Sequence, residues 1–276
     1  MPPLRPDTLA EALDILARPM LVQATAGGPP PRAQPHALFM DVSRVREMGG
    51  IHRLWGEISV GVNNLWAGIL RSSLLRPAAA CLADAATLME AESPGGALLH
   101  ALDAAHPDNL ALLALTALDA RVEIAVREES QRIIRRTLPL QEGLQIPSHQ
   151  PHLPLTVRFV SPLQAAGSAL HREDKLSPLQ PDARAAAAVI ALDAESGHIT
   201  FARLALAIPG GWPILCPAIK AIIGQPPQKE AIEAVVRLAQ RNCPQPRAST
   251  PHFSLALSSH LIRETLDRAI ARSQAT

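Results

Sequence analysis

The fold is decided by the stretch Glu92-Ser-Pro-Gly-Gly-Ala-Leu-Leu-His-Ala-Leu-Asp-Ala-Ala-His-Pro-Asp-Asn109 and its continuation Leu110-Ala-Leu-Leu-Ala-Leu-Thr-Ala-Leu-Asp-Ala-Arg-Val-Glu-Ile124. This sequence predicts a Gly-Gly loop, a polar turn at residues 106–109, a short helix and then a strand. The helix from Leu110 to Leu118 is hydrophobic on nearly all sides, so it should lie inside a domain. A central loop, helix and strand make a natural seat for a ligand.

Composition limits the kind of site that the chain can build. The 276 residues are 47% hydrophobic but only 3% aromatic, and there is no tyrosine. Tyr and Trp often form the rigid walls of pockets for aromatic cofactors, so their scarcity argues against a tight flavin site. The length fits one large domain or two modest ones.

Charge and cysteine usage exclude several classes of function. The formal net charge is +1, and the arginines of 127–136 are interleaved with Glu128 and Glu129, which indicates a solvated face rather than a nucleic-acid surface. No apolar span or signal pattern is present, so we expect a cytoplasmic protein without membrane contact. Three isolated cysteines and ten scattered histidines predict no metal site, and no set of residues suggests a catalytic group. The cysteines are Cys81, Cys216 and Cys243.

A second glycine-rich segment lies near the amino terminus. A helix from Thr8 and a strand beginning at Met20 lead to Ala26-Gly27-Gly28, which Pro29, Pro30 and Pro31 follow. Proline has no amide hydrogen, and a phosphate-binding loop needs several convergent N–H groups. The segment is therefore a poor phosphate cradle as it stands, and an ordinary flexible turn is the alternative interpretation.

Several segments, in order along almost the whole chain, resemble the FAD-binding (medium) subunits of molybdenum hydroxylases, the family of carbon monoxide dehydrogenase and xanthine dehydrogenase. Leu110 to Ile124 is similar to the segment that follows the second flavin loop of that family. Ala37-Leu-Phe-Met-Asp-Val-Ser-Arg-Val is similar to its "Leu-Ile-Asp-Leu-Ser-Arg-Ile", and Ala26-Gly27-Gly28 to the start of its first flavin loop. Residues 168–177 are similar to the family's "Tyr-Arg-Arg-x-Lys-Leu-Ser".

The resemblance implies an α+β fold in two domains. Residues 1–160 would form an FAD-binding domain of the PCMH type, made of two small mixed subdomains. Residues 161–276 would form a domain like the carboxy-terminal domain of carbon monoxide dehydrogenase flavoprotein, with a three-stranded antiparallel sheet and helices. The implied partners are a molybdopterin-containing large subunit and an iron–sulfur small subunit. The implied cofactor is FAD, with these binding residues: Ala26, Gly27, Gly28, Gly95, Gly96, Asp108 and Lys175.

The second flavin loop departs from the family pattern, which reads approximately "Arg-Asn-x-Gly-Thr-Ile-Gly-Gly-Asn-Leu". The Gly95-Gly96 pair is kept, but Ala97 replaces the Asn and the Arg-Asn pair is missing. Each lost hydrogen bond to a charged group costs about 1.5–3 kcal/mol. Two hypotheses remain open: an oxidoreductase subunit that transfers electrons through FAD, and a degenerate paralogue without flavin that acts in structure, assembly or regulation.

Overall fold

The computed structural model describes most of the chain, namely residues 3–27, 37–102, 109–128, 130–146, 150–160, 166–173, 184–207, 212–242 and 258–275. The chain forms two compact units. The first comprises Met1–Leu74, Ala86–Ala104 and Asp119–Val160, and the second comprises Leu75–Ala85, Ala105–Leu118 and Ser161–Thr276. The division into domains 1–160 and 161–276 stays a prediction.

The first unit begins with a helix and a pair of parallel strands. Helix α1 (Leu9–Leu16) is capped as its sequence predicts, because the Thr8 hydroxyl accepts a hydrogen bond from the Glu11 amide at 3.2 Å. Strands β1 (Val22–Thr25) and β2 (Leu38–Asp41) run parallel, with Thr25 opposite Asp41. Both strands therefore end at the same edge.

A five-stranded antiparallel sheet forms the rest of the first unit's framework. Its strands lie in the order β3-β4-β7-β5-β6, and one face carries buried apolar side chains such as Ile58, Val157 and Phe159. The strands are β3 (Ile51–Leu54), β4 (Glu57–Gly61), β5 (Arg121–Arg127), β6 (Ile133–Pro139) and β7 (His152–Val160). The helices of the first unit are α2 (Trp66–Arg71), α5 (Leu98–Ala101) and α7 (Leu140–Leu144). Helix α3 (Leu75–Ala78) belongs to the second unit, and α4 (Ala80–Glu92) is divided between the two units at Ala86.

Strand β6 at the edge of this sheet pairs with β5 over its whole length, from Ile133 to Pro139. Its polar residues lie at the exposed edge of the sheet, which gives the strand the composition of a loop. The arginines of 127–136 were expected on a solvated face, and Arg132, Arg135 and Arg136 are exposed. Arg127 departs from this expectation, because its side chain is only 13% exposed and pairs with Asp14.

The second unit is built on a four-stranded antiparallel sheet in the order β11-β10-β9-β8. The three long strands match the expected three-stranded sheet, and a two-residue strand adds a fourth. Its elements are α6 (Leu110–Ala117), β8 (Ala166–Glu173), β9 (Arg184–Leu192), β10 (Ile199–Leu206), β11 (Ile214–Leu215), α8 (Lys229–Asn242) and α9 (Ser258–Gln274). The helix expected after Pro213 is a 3₁₀ helix over Pro217–Ile222.

Alanine and glycine allow the sheet and helices of the second unit to approach closely. A Cβ atom added to Gly167 on β8 would lie 2.1 Å from the Ala269 carbonyl oxygen of α9. Helix α6 packs against β9 and β10, and all of its residues except Thr116 are buried. The predicted burial of this apolar helix is thus confirmed. In the part of the chain that the structure describes, no helix is both long and apolar enough to span a membrane.

Candidate functional site

The two glycine segments of the first unit meet at Leu65. A Cβ atom added to Gly27 would lie 4.0 Å from the Leu65 side chain, and Leu65 itself forms an isolated antiparallel bridge with Ala97. The next residue, Trp66, donates its amide hydrogen to the Gly96 carbonyl oxygen at 3.0 Å. Segments that are almost 70 residues apart in sequence are therefore neighbours in the fold.

A carboxylate holds the first glycine segment. Gly27 has φ +74, a left-handed conformation that glycine adopts without strain, and its amide donates to Asp41 Oδ1 at 3.2 Å. Burial raises the pKa of Asp41, but hydrogen bonds from Ser43 and Gly27 and the charge of Arg5 outweigh burial, so the net pKa is lowered. Asp41 is therefore ionised at neutral pH.

The second glycine segment is also held by acceptors of the chain. Gly95, at φ +75, donates its amide hydrogen to both carboxylate oxygens of Glu90 at 3.3 Å. The Gly96 amide donates to the Ser93 carbonyl at 3.1 Å, and the Leu98 amide donates to the Asn64 carbonyl at 3.0 Å. The segment is a turn in which the amides of Gly95, Gly96 and Leu98 already have acceptors.

Gly96 packs tightly against a buried tryptophan. A Cβ atom at Gly96 would lie 2.9 Å from Trp66 Nε1 and 3.1 Å from the Ser93 carbonyl oxygen. Trp66 is 1% exposed. The glycine is thus required by close approach of the indole, independently of any ligand.

A flavin pyrophosphate needs unpaired N–H groups, and four amides of these segments are already bonded within the chain. The amides of Gly27, Gly95, Gly96 and Leu98 all donate to oxygen atoms of the chain. Two of those acceptors are carboxylates, which repel a phosphate of the same charge. The described residues of the two loops, as arranged, do not fit a pyrophosphate.

One polar side chain beside the second segment does remain unpaired. His100 follows that segment in α5, and both of its ring nitrogens are buried without a hydrogen-bond partner. Burial lowers the pKa of His100, so its imidazole is neutral and keeps one donor and one acceptor. Both nitrogens are enclosed by the protein, so a ligand at the surface does not reach them in this conformation.

The structure brings together four of the seven predicted cofactor residues. Ala26, Gly27, Gly95 and Gly96 lie in the first unit around Leu65, whereas Gly28, Asp108 and Lys175 lie outside the described residues, as do Pro29–Pro31. Sequence reasoning missed the roles of Asp41 and Glu90. Neither is distinguishable by pattern from the other acidic residues, since only tertiary structure shows that it faces a glycine amide.

Cysteine and metal chemistry is not supported by the described residues. Cys81 and Cys216 are buried free thiols, and burial chiefly raises the pKa of Cys81 to about 12. A thiol with so high a pKa is a poor nucleophile and metal ligand at neutral pH. Among the residues that the structure describes, no group of three His, Cys, Asp or Glu side chains could hold a metal ion.

Comparison with solved structures identifies the fold. No protein-family model matches the chain, and no curated protein matches it either. A chain of carbon monoxide dehydrogenase from Hydrogenophaga pseudoflava superposes with a TM-score of 0.77 at 20% identity, covering 98% of both chains. A chain of reconstituted CO dehydrogenase from Oligotropha carboxidovorans gives 0.76 at 18% identity, covering 99% of this chain and 100% of that one.

A third solved structure belongs to an enzyme with a different substrate. A chain of quinoline 2-oxidoreductase from Pseudomonas putida 86 gives a TM-score of 0.74 at 17% identity, covering 99% of this chain and 98% of that one. The α+β fold implied by the sequence resemblance is therefore confirmed over the full length of the chain.

Proposed function

We propose that this chain is the flavoprotein-type subunit of an oxidoreductase complex of the molybdenum hydroxylase kind. The observation that carries the proposal is the full-length match to chains of carbon monoxide dehydrogenase. In the family that the sequence resembles, this subunit passes electrons from iron–sulfur clusters of a partner through FAD to an acceptor. The proposed partners are a molybdopterin-containing large subunit and an iron–sulfur small subunit.

The two glycine segments lie close together, which supports a subunit that binds FAD and transfers electrons through it. Family members place FAD on two such loops, and here Leu65 contacts the first segment and bridges to the second. These features favour a site for a polar ligand in the first unit.

Because amides of both glycine segments already donate hydrogen bonds within the chain, a second candidate is also supported. It is a subunit of the same fold that binds no flavin and acts in structure, assembly or regulation. Asp41 and Glu90 place carboxylates on the amides of Gly27 and Gly95. The three prolines after Gly28 have no amide hydrogen to offer in their place. Under this candidate we expect FAD binding to be weak or absent.

Absorbance and titration separate the two candidates. The purified chain is examined for flavin absorption bands, and the apoprotein is titrated with FAD by calorimetry. Submicromolar binding supports the electron-transfer candidate, and binding weaker than about 100 μM, or none, supports the candidate without flavin. A triple variant, Pro29→Thr, Pro30→Asp and Pro31→Leu, restores amide donors, so gain of binding in it would identify the prolines as the cause.

A further inference from the structure

The turn between strands β3 and β4 of the first unit carries a residue that its backbone conformation does not favour. Leu54 pairs with Glu57, so only Trp55 and Gly56 join the strands, and both are left-handed, with φ 53 and φ 84. Such two-residue turns normally begin with Asn, Asp or Gly, because a left-handed conformation costs a residue with a β-carbon about 1–2 kcal/mol. The local backbone therefore gives no reason for tryptophan at position 55.

Packing within the chain does not explain this tryptophan either. Trp55 is 94% exposed, and the adjoining Leu54 is 66% exposed. Leaving a large apolar side chain in water forgoes about 1.5–3 kcal/mol of burial free energy. Tryptophan is also one of the residues that contribute most to binding at the centres of protein–protein interfaces. Leu54 and Trp55 thus form an exposed apolar group, which we call the hairpin tip.

Strand β3 is an open edge of the five-stranded sheet, because in the part of the chain that the structure describes only β4 pairs with it. The Gly61 amide donates to the Gly50 carbonyl oxygen at 2.8 Å, so the hydrogen-bonded residues of β3 are those at every second position from Gly50. The backbone N–H and C=O groups of Ile51 and Arg53 consequently point away from β4. Among the described residues these groups have no hydrogen-bond partner, so they are available to another strand.

The charge and the size of this edge decide which strand fits it. His52 and Arg53 are exposed, and Arg53 has no ion pair with a described residue. The exposed acid of the hairpin, Glu57, lies on β4 and not at the open edge. A second copy of the chain would place the same basic residues on both sides of a new ladder, where like charges repel. A strand of four residues also offers much less than the roughly 800 Å² per partner of a standard interface. An extended segment with acidic side chains meets both conditions.

We propose that strand β3 and the hairpin tip bind an extended, acidic segment of another protein. The segment adds a strand to the sheet through the free backbone groups of Ile51 and Arg53. One of its carboxylates pairs with the Arg53 guanidinium, and one of its apolar side chains packs on Trp55. The inference goes beyond the proposed function, since it requires neither FAD nor a particular partner subunit.

The variant Trp55→Asn removes the indole without endangering the fold. Asparagine adopts the left-handed conformation more readily than tryptophan, so we expect the stability in urea to be unchanged or higher. The variant Arg53→Glu reverses the charge of the edge and keeps its backbone groups. Leu215→Asn, at an apolar residue of the second unit that is 47% exposed, is the control for the first variant. Arg136→Glu, at an exposed arginine on the opposite edge strand β6, is the control for the second.

The probe is a displayed library of random peptides, selected on the full chain and counter-selected on Trp55→Asn. We expect the enriched peptides to share alternating apolar and acidic residues, because successive side chains of a strand point to opposite faces. A synthetic peptide of the consensus sequence is then titrated by calorimetry and by the amide resonances of Ile51 and Arg53. Both resonances should shift, and affinity should fall at least about tenfold in Trp55→Asn and Arg53→Glu but not in the two controls.

Several outcomes would overturn the proposal: no enrichment, a consensus without acidic residues, unshifted resonances, or equal binding by Trp55→Asn and Arg53→Glu. A dimer in light scattering that Trp55→Asn abolishes would also overturn it, because a second copy of the chain would then be the partner. FAD titration of Trp55→Asn keeps this proposal separate from the proposed function. Unchanged FAD binding, or unchanged absence of it, together with loss of peptide binding supports a surface that is independent of the flavin role.

Discussion

Asp41 and Glu90 show how one carboxylate can occupy an amide of a glycine-rich segment that otherwise resembles a phosphate-binding loop. A glycine segment binds phosphate through its unpaired amides, and here each carboxylate accepts the hydrogen that a phosphate would take. The sequence shows that Gly95 and Gly96 are present. It does not show that Glu90 faces them, because the contact depends on how helix α4 ends.

We expect Glu90→Gln to make the second segment more receptive to anions. The amide side chain can still accept from Gly95 through its oxygen, but the negative charge is gone. Two unit charges about 4 Å apart in water interact by about 1 kcal/mol, so pyrophosphate or FAD affinity should rise about fivefold. The measurement is calorimetric titration, with Glu142→Gln, an exposed site on α7, as the control. An unchanged affinity would show that Glu90 does not exclude anions.

Gly96→Val should destabilise the chain with or without a flavin. From sequence alone, a larger side chain there was expected to matter only if flavin is bound. The structure contradicts this expectation, because a Cβ atom would lie 2.9 Å from Trp66 Nε1. We expect a loss of about 1–3 kcal/mol in the free energy of unfolding, measured by urea denaturation of the apoprotein. Wild-type stability in the variant would mean that Trp66 moves aside freely.

Asp41→Asn should remove a part of the acid sensitivity of the first unit. The folded pKa of Asp41 is below the ordinary value of 3.8, so its charge contributes stability above that value, and the contribution is lost as pH falls through the folded pKa. The stability difference between wild type and Asp41→Asn should therefore shrink as pH falls below about 4. Urea denaturation between pH 3 and 7 measures it, and a difference that does not vary with pH would contradict this account.

At the scale of elements, the sequence predicts best those helices and strands whose apolar residues follow a clear pattern. The apolar helix α6 was predicted from Leu110 to Leu118 and spans Leu110–Ala117, because its continuous apolar run marks it clearly. Strand β6 was not predicted, and only the 3₁₀ form of the helix at Pro217–Ile222 differs from expectation. Strand β6 has no distinctive period and is fixed by its pairing with β5.

The contact between β8 and α9 gives a prediction at this scale. Gly167→Ala places a Cβ atom about 2 Å from backbone atoms of Ala269 and Ser273, which side-chain rotation cannot relieve. We expect a loss of about 3 kcal/mol in unfolding free energy and a lower midpoint in thermal denaturation. Gly68→Ala in helix α2 is the control, since that position has no contact under 4 Å and alanine favours a helix. Equal stability of the two variants would show that α9 shifts at little cost.

At the scale of the whole molecule, the fold was predictable from sequence because its landmarks follow in order, whereas the state of the candidate site was not. Ala26, Gly27, Gly95 and Gly96 were predicted to bind the cofactor because of the family resemblance, and this role stays a prediction. The carboxylates that accept from Gly27 and Gly95 come from strand β2 and from the end of helix α4, so these two hydrogen bonds depend on tertiary packing. The fold is therefore compatible with both candidate functions. They differ in whether the amides of Gly27 and Gly95 can exchange their carboxylate acceptors for a flavin pyrophosphate.

Assembly with other chains is the last prediction. The sequence contains no cysteine cluster for an iron–sulfur centre and no recognisable molybdenum-cofactor motif, so in the proposed complex electrons must come from another polypeptide. We expect the chain, isolated from its native source under mild conditions, to co-elute with a molybdopterin-containing large subunit and an iron–sulfur subunit. Size-exclusion chromatography with metal and flavin analysis measures this. Molybdenum and iron with flavin would support the electron-transfer candidate, the same metals without flavin would support the second, and isolation as a bare monomer would contradict both.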